Sequence, residues 1–394
     1  MAPSRLRPQI EPTEEAAGVA CPRQRLQIDA SEEGAGVTRR TGISSMEPAT
    51  SMPDDDDMLR EILLRLPPQL SSLPRASAPP LLGVFERNHE GILFTPILDP
   101  PDCIPPHRFP FGRHSGSWGY NVLHCRHGLL LLLKNGSGTE VVVCDPITNE
   151  QLRVAIPPEL RTDFLGGAVL CAASDLGHVH VGGSPFKVVL VSTGKRDTGH
   201  LTSVYCVYSS ETGVWGDLIL TGDPCWILEK SAVLLGDRLY WLSLTDISIV
   251  EFDLDEHSIT TIKCPPVTFD ITYGNSQIIQ AEDGAVGFAA LSYPRFQMWR
   301  RSANGHGVPT WVHWKTIAMC TILGLPSPVD RMFGWLLGYD EVTDVVFLSV
   351  DHRVYMVQLK SMQSRKLHEI RYTADRYFPF TSFYVPGIAI AGGL

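Results

Sequence analysis

Residues 232–266 read AVLLGDRLYWLSL and, three residues later, SIVEFDLDEHSITTIKCPP. The phrase is strand, polar turn, strand. Asp253 to Ser258 supplies the turn, and Cys264-Pro265-Pro266 closes the second strand, since proline has no N–H to give to a ladder. The same phrase recurs on both sides. Upstream, GLLLLL (128–133) leads into VVVCDPITNEQLRVAIPP (141–158), which turns at Asp145 to Glu150 and closes with Ile156-Pro157-Pro158. FKVVLVSTG, TSVYCVYSSETGVW and GDLIL (within 186–220) follow, turning at Ser209 to Gly213. Downstream, GAVGFAALS, RFQMWRR and WVHWKTI (within 284–317) form one unit; GWLLGYDEVTDVVFLSV and RVYMVQLKSMQSRKLHEI (within 334–370) form another. With LLGVFERNHEGILFTPIL (81–98) at the front there are six units, spaced roughly 45 to 60 residues apart, as four-stranded propeller blades are.

A small sheet has two apolar faces and covers them only by packing on neighbours, so repeated sheets close into a ring. Val141–Val143, Val188–Val191 and Val345–Leu348 are nearly continuous apolar runs, as expected of strands sandwiched on both faces. An open β-sandwich also explains the alternation, but six successive phrases fit a ring better. The expectation is an all-β chain: a β-propeller of six four-stranded blades over residues 79–394.

Composition agrees. The chain has 394 residues, 44% hydrophobic, with 34 Gly and 30 Pro, which favours many turns over long helices. No apolar run approaches the ~20 residues of a membrane helix, and the N-terminus lacks the apolar core of a signal peptide, so a cytoplasmic or nuclear protein is expected. The nine cysteines contain no C-x-x-C and are odd in number, which points to reduced thiols rather than a disulfide frame or zinc site. A net charge of −10 argues against a broad nucleic-acid surface, for which a basic stripe is expected. Residues 1–52 are rich in Glu, Ala, Gly, Pro, Arg and Ser without periodicity, and are expected to be disordered.

Between this segment and the first strand, Asp54 to Ser77 reads DDDDMLREILLRLPPQLSSLPRAS. Leu59, Ile62, Leu63 and Leu66 follow i, i+3, i+4, i+7, one stripe of a short amphipathic helix. The acidic run favours the positive end of the helix dipole, and Pro67 and Pro68 end the helix. Some ten residues cannot hold a helix alone in water, so the stripe must be buried against something.

Residues 53–78 resemble the first part of an F-box. Leu59, Ile62, Leu63, Leu66, Pro67 and Pro68 sit where that motif's apolar residues and Leu-Pro signature fall, and the resemblance implies docking on a Skp-type adaptor and a cullin scaffold. The second and third helices of a full F-box do not follow; after Ser77 the chain passes to PPLLGVFERN (79–88). Val207 to Trp215, Cys125 to Leu133 with Cys144-Asp145-Pro146, and Tyr377 to Tyr384 resemble the F-box-associated repeat domain of grass F-box proteins. That resemblance covers most of residues 54–390 and implies a plant protein whose propeller selects a target for ubiquitin transfer.

Catalytic signatures are missing: there is no H-E-x-x-H, G-x-S-x-G, Walker loop or G-x-G-x-x-G after a strand. His124-Cys125-Arg126-His127 and His178-Val179-His180 have no matching cluster at ligand spacing, so no metal or other cofactor is expected. Asn135-Gly136-Ser137 reads as a hairpin turn. Trp226, Trp241, Trp299, Trp311, Trp314 and Trp335 are expected mostly in the core. Arg295, Arg300 and Arg301 beside Trp299 form the best local candidate for an anionic peptide contact, against the plainer reading of a solvated strand end. Three functions stand side by side: a ligase adaptor whose propeller holds the target, a degenerate binding-only propeller, and an enzyme using the central funnel.

Overall fold

The computed structural model describes residues 79–382 except 89–90, 101, 110–118, 135–137, 162–163, 172–184, 196–200, 222–223, 228–229, 244–247, 268–271, 273, 326–333 and 371–375. They form six sheets that correspond to the six sequence units. The second blade holds β3 (Tyr120–Arg126), β4 (Leu129–Lys134), β5 (Glu140–Cys144) and β6 (Gln151–Ala155). The third holds β7 (Phe164–Cys171), β8 (Phe186–Lys195), β9 (Leu201–Ser209) and the short β10 (Val214–Trp215) and β11 (Ile219–Thr221). The fourth holds β12 (Val233–Leu235), β13 (Arg238–Ser243), β14 (Ser248–Asp253) and β15 (Ser258–Lys263). The fifth holds β16 (Ser276–Gln280), β17 (Val286–Ser292), β18 (Arg295–Ala303) and β19 (Pro309–Ala318). The sixth holds β20 (Gly334–Asp340), β21 (Val345–Val350), β22 (Arg353–Gln358) and β23 (Ser364–Glu369). Within each of these sheets neighbouring strands are antiparallel, and the first strands of most successive blades adjoin.

The first blade closes the ring. β1 (Leu81–Asn88) pairs on one side with β2 (Gly91–Pro96) and on the other with β24 (Tyr377–Thr381), in the register Phe85 to Phe378. Its innermost strand therefore comes from the far end of the chain, and it has three described strands where a local reading expects four. The third blade also departs from the simple pattern: β10 and β11 both pair with β9, so its outer strand comes in two pieces. Gly338 permits the closure, because a Cβ there would lie 2.4 Å from the Tyr377 carbonyl oxygen.

The continuous apolar runs have the cause their pattern implied. Val188 and Leu190 of β8 pack with the second blade's Leu131, Val141 and Val143, whereas Val189 and Val191 pack with the fourth blade's Leu239 and Trp241. Likewise Val345 and Phe347 of β21 join Val84 and Tyr377 of the first blade, while Val346 and Leu348 join Leu291 and Phe296 of the fifth. Alternate residues of one strand thus feed two inter-blade cores, and both must be apolar.

The hairpin between the third and fourth strands repeats too. Asn149, Gly213, His257, Gly307 and Met362 all take positive φ at the end of this turn. In two blades an aspartate opens it: Asp145 Oδ1 accepts from Ile147 and Thr148 N–H, and Asp253 Oδ1 from Asp255 and Glu256 N–H. Such side-chain capping is why Asp and Asn favour these positions.

Candidate functional site

Among the described residues, the innermost strand of each blade has one edge without a strand partner, on the side of the axis. A buried N–H or C=O left unpaired costs about 1–3 kcal/mol, so side chains that reach the edges are there for a reason. His124, 2% exposed, sits in β3 beside a bulge between Val122 and His124. Val169 N–H of β7 donates to its Nδ1 at 3.2 Å, and its Nε2–H donates to the Ala232 carbonyl at 3.2 Å, just ahead of β12. This neutral imidazole links the second, third and fourth blades. Burial, with the charge of Arg126 second, drives its pKa down to about 3.

Two charged side chains span the axis at either end of β20. Lys230, on the connection into the fourth blade, donates through Nζ to the carbonyls of Ser276 at 2.6 Å and Leu336 at 2.9 Å, in β16 and β20. Burial pulls its ammonium down to about 7. Past the other end of β20, Glu341 accepts from Leu234 N–H of β12 at 2.9 Å and forms an ion pair with Arg126 at the end of β3. Burial lowers Arg126 to about 10, so it stays cationic at neutral pH. Tyr339 Oη completes the stitching, accepting from Gln280 N–H and donating to Asp344.

This chemistry holds strands together. Both nitrogens of His124 are engaged, and burial raises the Cys144 and Cys171 thiols to about 12, away from thiolate reactivity. The eight described cysteines are free thiols. Among the described residues, no three His, Cys, Asp or Glu side chains gather to hold a metal, and no helix is long and apolar enough to cross a membrane.

The adaptor-binding residues expected from sequence, Leu59, Ile62, Leu63, Leu66, Pro67 and Pro68, lie outside the described residues, as do His178, His180 and Asn135 to Ser137. The cationic cluster of β18 is divided: Trp299 is buried, Arg300 lies 3.4 Å from Asp283, and Arg301 lies 3.8 Å from Glu251. Of the tryptophans, Trp241 and Trp299 are buried, Trp311, Trp314 and Trp335 are partly buried and packed against the inter-blade cores, and Trp226 is partly buried. Trp215 Nε1 donates to the Ala155 carbonyl at 2.8 Å and Trp311 Nε1 to the Lys263 carbonyl at 2.7 Å. Each rivets its outer strand to that of the preceding blade, just ahead of the Ile156-Pro157-Pro158 and Cys264-Pro265-Pro266 phrases. The sequence reading overlooked Lys230 and Glu341, whose partners are remote in the chain. Spacing reads His124 as a strand residue and not a metal ligand, and β3 does contain it, but nothing local points to its bonds with Val169 and Ala232.

The outer rim carries all six large apolar side chains counted as exposed among the described residues: Leu93, Val214, Leu218, Leu220, Val308 and Val312. A ring closed by its terminal strands, stitched along its axis and bearing apolar groups outside defines a six-bladed β-propeller. The chain belongs to the family described as "F-box protein AT5G49610-like, beta-propeller", whose model matches residues 121–386. No curated protein sequence matches it. Solved structures similar to it include the extracellular domain of the putative one component system BT4673 from B. thetaiotaomicron (12% identity, TM-score 0.30, covering 64% of this chain and 28% of that one). A putative 6-phosphogluconolactonase from Bacteroides fragilis NCTC 9343 shares 11% identity at a TM-score of 0.34, over 60% of this chain and 64% of that one. A functionally unknown protein from Desulfotomaculum acetoxidans DSM 771 shares 11% identity at 0.38, over 76% and 90%. The chain thus spans under two thirds of the first two, and likenesses this distant carry no functional weight.

Proposed function

We propose that this propeller is the target-binding part of an F-box-type substrate adaptor of an SCF ubiquitin ligase, and is not itself an enzyme. The family match over residues 121–386 carries the reading. It is supported by the inner-strand side chains His124, Lys230 and Glu341, each of which is spent on main-chain partners. In this reading the helix of Leu59, Ile62, Leu63 and Leu66, ended by Pro67 and Pro68, docks on a Skp-type adaptor joined to a cullin scaffold, in the cytoplasm or nucleus of a plant cell.

One observation favours a second reading. Only 24 residues, Asp54 to Ser77, stand where a three-helix F-box belongs. Burying four aliphatic side chains contributes on the order of 1.5–3 kcal/mol each, while ordering about ten residues costs roughly 1–2 kcal/mol apiece. In the second reading the chain is a binding-only propeller that holds targets without recruiting the ligase. A pull-down with purified Skp-type adaptor separates the two, using this chain, its Leu63→Asp variant and a form with a complete F-box restored. Binding by the chain and not by Leu63→Asp supports the adaptor; binding by the restored form alone supports the second reading.

A further inference from the structure

The outermost strand is where a propeller keeps an open sheet edge, and the blades guard it differently. β6 and β15 are short, at 5 and 6 residues. β23, reading SRKLHE, is charged, and the third blade's edge is split between β10 and β11. All are devices that discourage strand addition. β19 lacks them. It runs 10 residues as PTWVHWKTIA, and its one ladder partner among the described residues is β18. Val312 is 42% exposed and Val308, just ahead, 54%, with Trp311 and Trp314 partly open. A register shift opposite Met298 and Trp299 interrupts the ladder at Trp314, but Pro309 to His313 stay in regular pairing with Trp299 to Ala303.

The charge of this hairpin opposes that of the chain. Residues 295–318 contain Arg295, Arg300, Arg301 and Lys315 and no Asp or Glu, in a protein of net charge −10. Arg300 pairs with Val312 and Met298 with Lys315 in the ladder, so the register shift places Arg300, Val312 and Lys315 on one face. Arg300 is held by Asp283 at 3.4 Å, but both side chains are over 40% exposed, and such pairs are worth little. A carboxylate from a partner exchanges with Asp283 at small cost. A second copy adding its own β19 brings like charges together, so self-association is disfavoured.

We propose that β19 takes an extended acidic segment of the target protein as an added strand. The segment's carboxylates line the face that carries Arg300, Val312 and Lys315, and its aliphatic side chains line the opposite face, beside the partly open Trp311. This rests on the propeller's role as target-binding module and names the chemistry of what it binds. It relocates the anion contact expected at Trp299, which is buried, to the neighbouring strand.

The test uses the purified full chain and a fluorescent peptide about ten residues long, to match β19, alternating Glu with Val and Ile. Fluorescence anisotropy is expected to show binding that weakens with added salt. Lys315→Glu and Val312→Glu should each raise the Kd about tenfold, while Leu220→Glu on the third blade's edge leaves it unchanged. A peptide of the same charge with proline at alternate positions lacks the N–H donors for a ladder and should not bind. The proposal is overturned if the parent peptide fails to bind, if the proline peptide binds as well, or if a Lys-for-Glu peptide binds equally. The peptide panel on the unmodified chain decides the matter even where a variant misfolds. Since no adaptor is present, a failed Skp-type pull-down does not affect this result, and a failure here does not touch ligase recruitment.

Discussion

Acidification should weaken this propeller through one imidazole, His124, and the size of the effect follows from its surroundings. Its folded pKa lies near 3, against an ordinary 6.5. The unfolded chain therefore takes up a proton below pH 6.5 that the folded chain refuses, and stability is lost as pH falls from 6.5 toward 3. Between pH 7 and pH 5 the loss is about 1.5 pH units at 1.36 kcal/mol each, or about 2 kcal/mol. His124→Gln removes the titration. At pH 7 that variant should cost about 1–3 kcal/mol, because the Val169 N–H or the Ala232 carbonyl loses its partner. It should lose correspondingly less than the parent protein on moving to pH 5. Urea unfolding followed by tryptophan fluorescence at both pH values measures the two slopes. His127, lowered to about 4 by burial and then by Arg126, acts in the same direction but is present in both proteins and cancels in the comparison. Equal pH slopes in parent and variant would refute the argument that a neutral His124 bridges the inner strands.

The outer rivets and the closure give two further tests. Trp215→Phe and Trp311→Phe each delete one indole-to-carbonyl bond at separate blade junctions; each should lower stability by about 1 kcal/mol and the two should add, read as shifts in the urea midpoint. Gly338→Ala puts a methyl against the Tyr377 carbonyl; it should cost about 1–3 kcal/mol, and limited proteolysis should release the β24 segment faster than from the parent chain.

Much of the blade structure was legible because its causes are local. The turn from Asp145 to Glu150 and that from Asp253 to Ser258 announce themselves through an aspartate that caps its own loop. Runs such as Val188–Val191 announce strands covered on both faces. Hydrophobicity alone does not distinguish Trp241, sealed between blades, from Trp311, which packs on the core with one side and spends its indole N–H on a neighbouring strand. The channel was illegible for a related reason: His124 and Ala232 are 108 residues apart, and Lys230 reaches Leu336 across 106. Neither pair leaves a spacing motif.

By itself the sequence determined that this chain builds six small sheets, with their strands, hairpins and apolar faces, since alternation and turn chemistry act over a few residues. Tertiary structure alone decided that β24 supplies the inner strand of the first blade, and that His124, Lys230 and Glu341 meet the open inner edges. It also decided that β19 is the edge left long and cationic. The physical reason is that a sheet edge offers the same N–H and C=O groups whatever the sequence beside it, so its partner is chosen by closure of the ring and not by any local signal.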